Sequence, residues 1–301
     1  MNQIPETHSL EQNMQLVDTQ PAILGEGPLW DEQAQVLWWI DIIGQRLRRF
    51  DPADGSDHTF ELPEKPGTVV LRDDDRLGLA LQTGFYSFDP ATEKLTQIAD
   101  PESHEPETRF NDGKCDPEGR FWAGSMEDAE TGKRIGSLYS LQGGTCTRHF
   151  GGIGVSNGIV WNSAADTMFY IDSPTRKVDA FDYDRATGTI SNRRTAIDVP
   201  DGLGYPDGMA IDINDRLWVC MWHGWAVIQF DPVTGEILQT LDVPVRNVTA
   251  CAFAGPELRE LYITTSRHGN DDVGLDDQPH AGGLFHTRVD VEGTGFARFS
   301  D

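Results

Sequence analysis

The chain reads as an all-β protein: a six-bladed β-propeller whose four-stranded antiparallel blades surround a central channel. Two recurring signals and one missing signal predict it. A polar turn followed by a short apolar or aromatic strand recurs six times. With Leu37, Leu77, Phe121, Phe169, Leu217 and Leu261 as markers, the steps are 40, 44, 48, 48 and 44 residues. A repeat in the forties holds about four short strands, the content of one propeller blade. The second signal is a tight turn opened by Asp, at Asp51 to Gly55, Asp89 to Glu93, Asp184 to Gly188 and Asp231 to Gly235. Asp caps such a turn through its side chain, Pro presets φ where present, and Gly takes the positive-φ position. Alternating apolar segments flank each one, so each reads as a hairpin. The missing signal is helical periodicity, which Gly and Pro interrupt in every candidate window.

Taken in order, each blade opens with an inner strand that lines the channel. The expected starts are Glu26, Gly67, Asn111, Asn157, Asp207 and Asn247, which precede the markers by 11, 10, 10, 12, 10 and 14 residues. That near-constant offset predicts equivalent heights around one mouth of the channel. The last strand pair, around Gly283 to His286 and Gly295 to Phe299, lacks a full blade of its own. The N-terminal segment at about 14–20, near Met14-Gln15-Leu16-Val17, is expected to complete it and close the ring. Residues 1–301 are thus expected to form one propeller domain.

Composition narrows the function. Hydrophobic residues make up 38% of the 301, low for one large core but adequate when eight Trp and fourteen Phe fill many short sheets. The net charge of −25, from 49 acidic and 24 basic residues, argues against nucleic acid and against anionic membrane surfaces. It describes a heavily solvated surface, of the kind a saline habitat favours, whose field would also expel an anionic product. Cys115, Cys146, Cys220 and Cys251 form no C-x-x-C and are expected as free buried thiols. Met1 to Glu6 lacks the basic and apolar regions of a signal peptide, and no run approaches ~18 apolar residues. The expectation is a cytoplasmic protein, monomeric or weakly homo-oligomeric, with a small-molecule partner.

Glu26, Asn157 and Asp207 are each followed by Gly, and Asn111 by Asp112-Gly113. One Asn-Gly or Asp-Gly merely makes a turn. Several in phase with the blades place carboxylate and amide oxygens at one mouth. Oxygen donors without Cys or His suit Ca²⁺, Mg²⁺ or Mn²⁺, with Zn²⁺ a further option. The glycines are expected to let the backbone bend so that each side chain reaches the axis.

Leu24 to Trp30, Arg109 to Lys114, Ser156-Asn157-Gly158, Pro206 to Met209 and Ala281 to Phe285 resemble, in order, the motifs of the regucalcin (senescence marker protein) and gluconolactonase family. The resemblance spans nearly the whole chain. It implies a six-bladed propeller that hydrolyses a sugar lactone with one divalent metal ion, calcium first. It further implies Glu26, Asn157 and Asp207 as metal ligands, Asp207 as general base, and Arg109 and Asn111 as substrate contacts. The family places a substrate-contacting Glu a few residues after its Gly-x-Met segment. Here Gly124-Ser125-Met126 is followed by Glu127, Asp128, Ala129 and Glu130, with Ala129 at the ungapped position. Asp128 is expected to take that contact.

The implied reaction opens a gluconolactone-like, pentono- or galactonolactone to its aldonic acid, with Arg109 and Asn111 donating hydrogen bonds to the substrate. Two alternatives stay open: a calcium-dependent phosphotriesterase or arylesterase, and a non-enzymatic calcium-binding protein. Gly154-Val155-Ser156-Asn157-Gly158 matches G-x-S-x-G, but that motif needs a strand-to-helix elbow and two strands are expected here. His223 is within reach of the mouth, with a rim role as the simpler reading. The acidic run from Asn270 to Asp277 reads as a solvated loop. Asp212 to Asp215 lacks the glycine and final Glu of an EF-hand.

Overall fold

Each Asp-initiated turn closes the outer hairpin of a blade. The carboxylates of Asp51, Asp89, Asp184 and Asp231 accept the N–H two residues on, at 2.8–3.0 Å. Gly55, Glu93, Gly188 and Gly235 then take positive φ. A related device turns the inner strand of two blades into the next. Asp116 Oδ1 accepts from the N–H of Glu118 and Arg120, and its Oδ2 accepts from Trp122 Nε1. Asp212 does the same with Asn214, Arg216 and Trp218, so its carboxylate is occupied as a turn cap.

These hairpins assemble into six four-stranded antiparallel sheets. The structure, a computed structural model, describes residues 14–17, 20–270 and 274–300. Residues 1–13 (the N-terminus read for a signal peptide), 18 and 19 of the closing segment, 271–273 of the acidic run and 301 lie outside them. The inner strands of blades 1 to 6 are Gly25–Asp31, Pro66–Leu71, Thr108–Cys115, Ser156–Trp161, Tyr205–Ile211 and Val248–Ala254. Strands follow in chain order from the channel outward in blades 1 to 5. In blade 6 the outermost strand is Gln15–Leu16, which pairs with Phe285–Arg288. The fold is the six-bladed propeller that the period predicts. Among the described residues, the sole helical element is the 3₁₀ turn Ser173–Thr175, and no helix is long and apolar enough to cross a membrane.

All six marker residues are buried. They sit in layers between neighbouring blades, as where Phe85 of blade 2 meets Phe121 of blade 3 at 5.1 Å between ring centroids. Such aromatic layers supply much of the buried area that the modest hydrophobic content would otherwise lack. All four cysteines are free; three are buried and Cys146 is half-buried.

One expected strand does not form. Phe285–Arg288 is a strand, but 295–299 is not. Its place beside Phe285–Arg288 is taken by Gln15–Leu16. The segment runs instead beneath the ring, at the ends of the inner strands opposite the mouth. Phe299 exchanges backbone hydrogen bonds with Leu71 and Asp73 of blade 2, and the flanking Gly293, Thr294 and Ser300 donate to Leu258 of blade 6, Ile211 of blade 5 and Gly119 of blade 3. Arg298 adds a bond to Asp31 of blade 1 at 2.7 Å, and Phe299 is buried against Phe121.

Candidate active site

All six inner strands lose register with their neighbours at one height. The shifts fall between Glu26 and Leu29, Pro66 and Thr68, Phe110 and Gly113, Asn157 and Ile159, Pro206 and Met209, and Val248 and Ala250. A β-bulge leaves residues unpaired and re-aims their side chains. Here the bulges fall at or beside the oxygen-bearing residues of blades 1, 3, 4 and 5. Of the glycines that follow, Gly27 takes φ +53, the expected bend after Glu26, while those of blades 4 and 5 serve a different purpose. Gly158 and Gly208 have no positive φ. A Cβ on Gly158 would stand 2.7 Å from Met209 Cγ and 3.0 Å from Asp207 O, and one on Gly208 would stand 2.6 Å from the Ala250 Cβ. They let adjacent inner strands crowd together, which narrows the channel around the polar groups.

Two aspartates pin the approach to the site. Asp41 accepts from Ile23 N and Leu24 N, both at 3.0 Å, just before Glu26. Asp172 accepts from Gly154 N and Val155 N, both at 3.1 Å, just before Asn157. Glu26, Arg109, Asn111, Asn157 and Asp207 then line one cavity of about 320 Å³.

A hydrogen-bond chain orders its wall. Arg109 Nη1 donates to Asn111 Oδ1 at 2.6 Å. Asn111 Nδ2 donates to Ser156 O at 2.7 Å and to Asn157 Oδ1 at 2.9 Å. Asn157 Nδ2 donates to Ser173 Oγ at 2.8 Å, and Ser173 Oγ donates to Pro206 O at 2.6 Å, next to Asp207. Each amide is thereby oriented. With both donors of its amide used inside the protein, Asn111 offers a ligand only acceptor capacity.

Glu26 and Asp207 are the electrostatic centre. Burial first, then the Asp112 charge, pushes the Glu26 carboxyl up to about 8 from 4.5, against the opposing pull of the Gly27 N–H and Arg109. Burial, then Glu26 and Asp112, holds Asp207 well above the ordinary carboxylate range. Among the described residues no Lys or Arg forms an ion pair with either. Two buried carboxylates in this state take up a proton or a cation. With the Asn157 amide as a third hard oxygen donor, the set suits a hard divalent ion. Among the described residues, no group of three or more His, Cys, Asp and Glu side chains is arranged to hold a metal. Any metal held here therefore draws on an amide.

Ser156 is fully buried at the start of a strand, and its hydroxyl accepts from Tyr170 OH at 2.7 Å. No elbow is present, and the G-x-S-x-G match is a support for Asn111 and Asn157.

The arrangement matches known proteins over nearly its full length. Residues 24–267 match the model of the SMP-30/Gluconolactonase/LRE-like region. The chain belongs to the SMP-30/gluconolactonase/LRE-like family. It is 38% identical to regucalcin of Xenopus laevis, over 92% of this chain and 95% of that one. It is 36% identical to the putative sugar lactone lactonase YvrE of Bacillus subtilis, over 90% and 93%. Among solved structures, a calcium-binding regucalcin from Agrobacterium tumefaciens superposes with a TM-score of 0.91 at 28% identity, covering 95% of this chain and 97% of that one.

The acidic loop after Met126 borders the cavity. Asp128 pairs with Lys65 and stands 3.4 Å from Arg109 Nε, and it is not among the residues lining the cavity. Glu130 lines the cavity in its place, together with His268, Tyr205 and Trp222. None of these four was singled out from sequence as a cavity residue, because none recurs in phase with the blades. Asn247 is fully buried and donates to His268 O at 2.8 Å, supporting the rim from below. His223 is absent from the cavity lining; it stacks on Trp222, with ring centroids 5.5 Å apart.

Proposed function

We propose that this protein is a divalent-metal-dependent sugar lactonase, opening an aldonolactone to the aldonic acid. The observation that carries the reading is the buried Glu26–Asp207 pair, short of counter-charge, on the cavity that Arg109 shares. The names of its relatives, regucalcin and a putative sugar lactone lactonase, support it.

Glu26, Asp207 and Asn157 would hold the ion, calcium first by donor set and by the calcium-binding structural relative, with zinc, manganese or magnesium as substitutes. When bound, such an ion polarises a carbonyl and acidifies water. Asp207, freed of its proton where the ion binds, would accept the proton of the attacking water. Arg109, locked by Asn111 and Phe110 O, presents a fixed cationic edge to the oxygen that gains charge. Asn111 accepts from a substrate hydroxyl. Four unpaired thiols fit a reducing compartment, and we place the protein in the cytoplasm.

The deciding experiment uses chelator-treated protein with single metals added back, assayed on glucono-, galactono-, xylono- and arabinonolactone. Metal-dependent opening above the spontaneous rate is expected, together with its loss in a folded Asp207→Ala variant. No acceleration with any metal and lactone would refute the lactonase reading.

A further inference from the structure

Blades 3 and 6 stand opposite each other in the ring, yet a contact joins them across the mouth. Glu130, in the loop between the second and third strands of blade 3, places Oε2 3.4 Å from Nε2 of His268, which follows the second strand of blade 6. Its Oε1 lies 3.3 Å from Arg109 Nη2. Both Glu130 and His268 line the cavity that holds Glu26, Asn157 and Asp207.

Each end of this contact is held from behind. The Glu127 carboxylate accepts from Thr131 N, Thr131 Oγ1 and Lys133 N, which anchors the loop and leaves Glu130 at φ +52. The His268 N–H donates to Ile23 O, and its carbonyl accepts from Asn247 Nδ2 and Ser266 Oγ. The backbones are fixed while the side chains remain reachable, at 43% and 41% exposure. The bonds at Glu130 are also long, near the weak end of hydrogen bonding, whereas Arg109 and Asn111 meet at 2.6 Å. A ligand hydroxyl that donates to Glu130 and accepts from His268 exchanges the long Glu130–His268 contact for two shorter ones. The Arg109–Asn111 bond has no such reason to yield.

We propose that Glu130 and His268 are a specificity-determining pair that straddles the mouth and reads the hydroxyl-bearing end of the ligand, away from the Glu26–Asp207 carboxylates. This builds on the reading of the cavity as a sugar-lactone site. The pair selects for hydroxylation and leaves the metal residues untouched.

The test measures binding by calorimetry in calcium-saturated protein, with two neutral lactams that cannot be hydrolysed. One is the fully hydroxylated six-carbon gluconolactam and the other is δ-valerolactam, which has no hydroxyls. Wild type should prefer the hydroxylated lactam. Glu130→Gln and His268→Ala should each weaken it about 5-fold, the scale of one hydrogen bond. Both variants should alter δ-valerolactam binding by less than about 2-fold on the same scale and bind calcium like wild type. A wild type without preference, or variants that weaken both lactams alike, would overturn the proposal. If wild type prefers the hydroxylated lactam through this pair but opens no lactone, the lactonase reading falls and the pair's role stands.

Discussion

Asn111 Nδ2 donates to Asn157 Oδ1 at 2.9 Å, joining blade 3 to blade 4 at the height of the channel mouth. The same amide accepts the Arg109 guanidinium on its other side. A single side chain therefore couples the substrate wall to a proposed metal ligand.

Replacing Asn111 by Asp tests that coupling at almost constant shape. A carboxylate cannot donate, so Ser156 O and Asn157 Oδ1 both lose their donor and face a negative charge. Leaving buried groups unsatisfied costs about 1–3 kcal/mol, and the freed Asn157 amide can rotate. Asn111→Asp is expected to lower thermal stability and to weaken calcium binding about 10-fold or more, as loss of an orienting partner does at metal sites. Calorimetric titration with calcium, beside a thermal melt, checks both effects. Wild-type affinity in Asn111→Asp would show that Asn157 needs no such orientation.

The raised proton affinity of Glu26 has a sign that can be measured. Between pH 4.5, its ordinary value, and about 8, the metal-free folded protein holds a proton that the unfolded chain has released. The stability this group contributes is complete below the lower limit and is lost as pH rises through the upper one. A divalent ion must displace that proton, so its affinity should climb from pH 6 to 8, by up to about 10-fold per unit for each proton displaced. Calcium titrations across that range, in buffers of different ionisation enthalpy, should register proton release at pH 7 from Glu26 and from the likewise raised Asp207. Glu26→Gln should reduce the slope, leaving the part due to Asp207, along with most of the affinity, and a pH-independent wild-type affinity would contradict the account.

The parts of the protein that repeat were the parts open to reading in sequence. Blade period, Asp-capped hairpins and the placing of Glu26, Asn111, Asn157 and Asp207 on one cavity all follow from equal positions in successive repeats, whereas Arg109 was legible only through the family resemblance. Glu130 and His268 obey no period. Glu130 is placed by the way Glu127 ties Thr131 and Lys133, and His268 by Asn247 beneath it, contacts particular to one loop and one blade that no repeat records. The tail over 295–299 looks apolar and strand-like because Phe299 is buried and Phe296 and Ala297 are half-buried beneath the ring. The strand slot it would need is already filled by Gln15–Leu16, a pairing between chain ends that no local pattern records.

That tail supplies a prediction that separates stability from chemistry. Phe299 is 1% exposed, packs on Phe121 at 5.8 Å between ring centroids, and carries the Arg72 guanidinium over its face at 4.9 Å. Its N–H donates to Leu71 O, and its carbonyl accepts from Asp73 N. Truncating a buried Phe to Ala costs about 3–5 kcal/mol through lost transfer energy and the cavity left behind. Phe299→Ala is therefore expected to lower the melting temperature by roughly 5–15 °C, given the usual few degrees per kcal/mol for larger domains. The residue lies at the end of the channel opposite Glu26 and Asp207, so calcium affinity measured below the melt should match wild type. A variant that keeps its melting temperature would mean the tail merely rests beneath the ring. Lost calcium affinity in a folded variant would mean instead that the tail sets the geometry of the mouth through the inner strands.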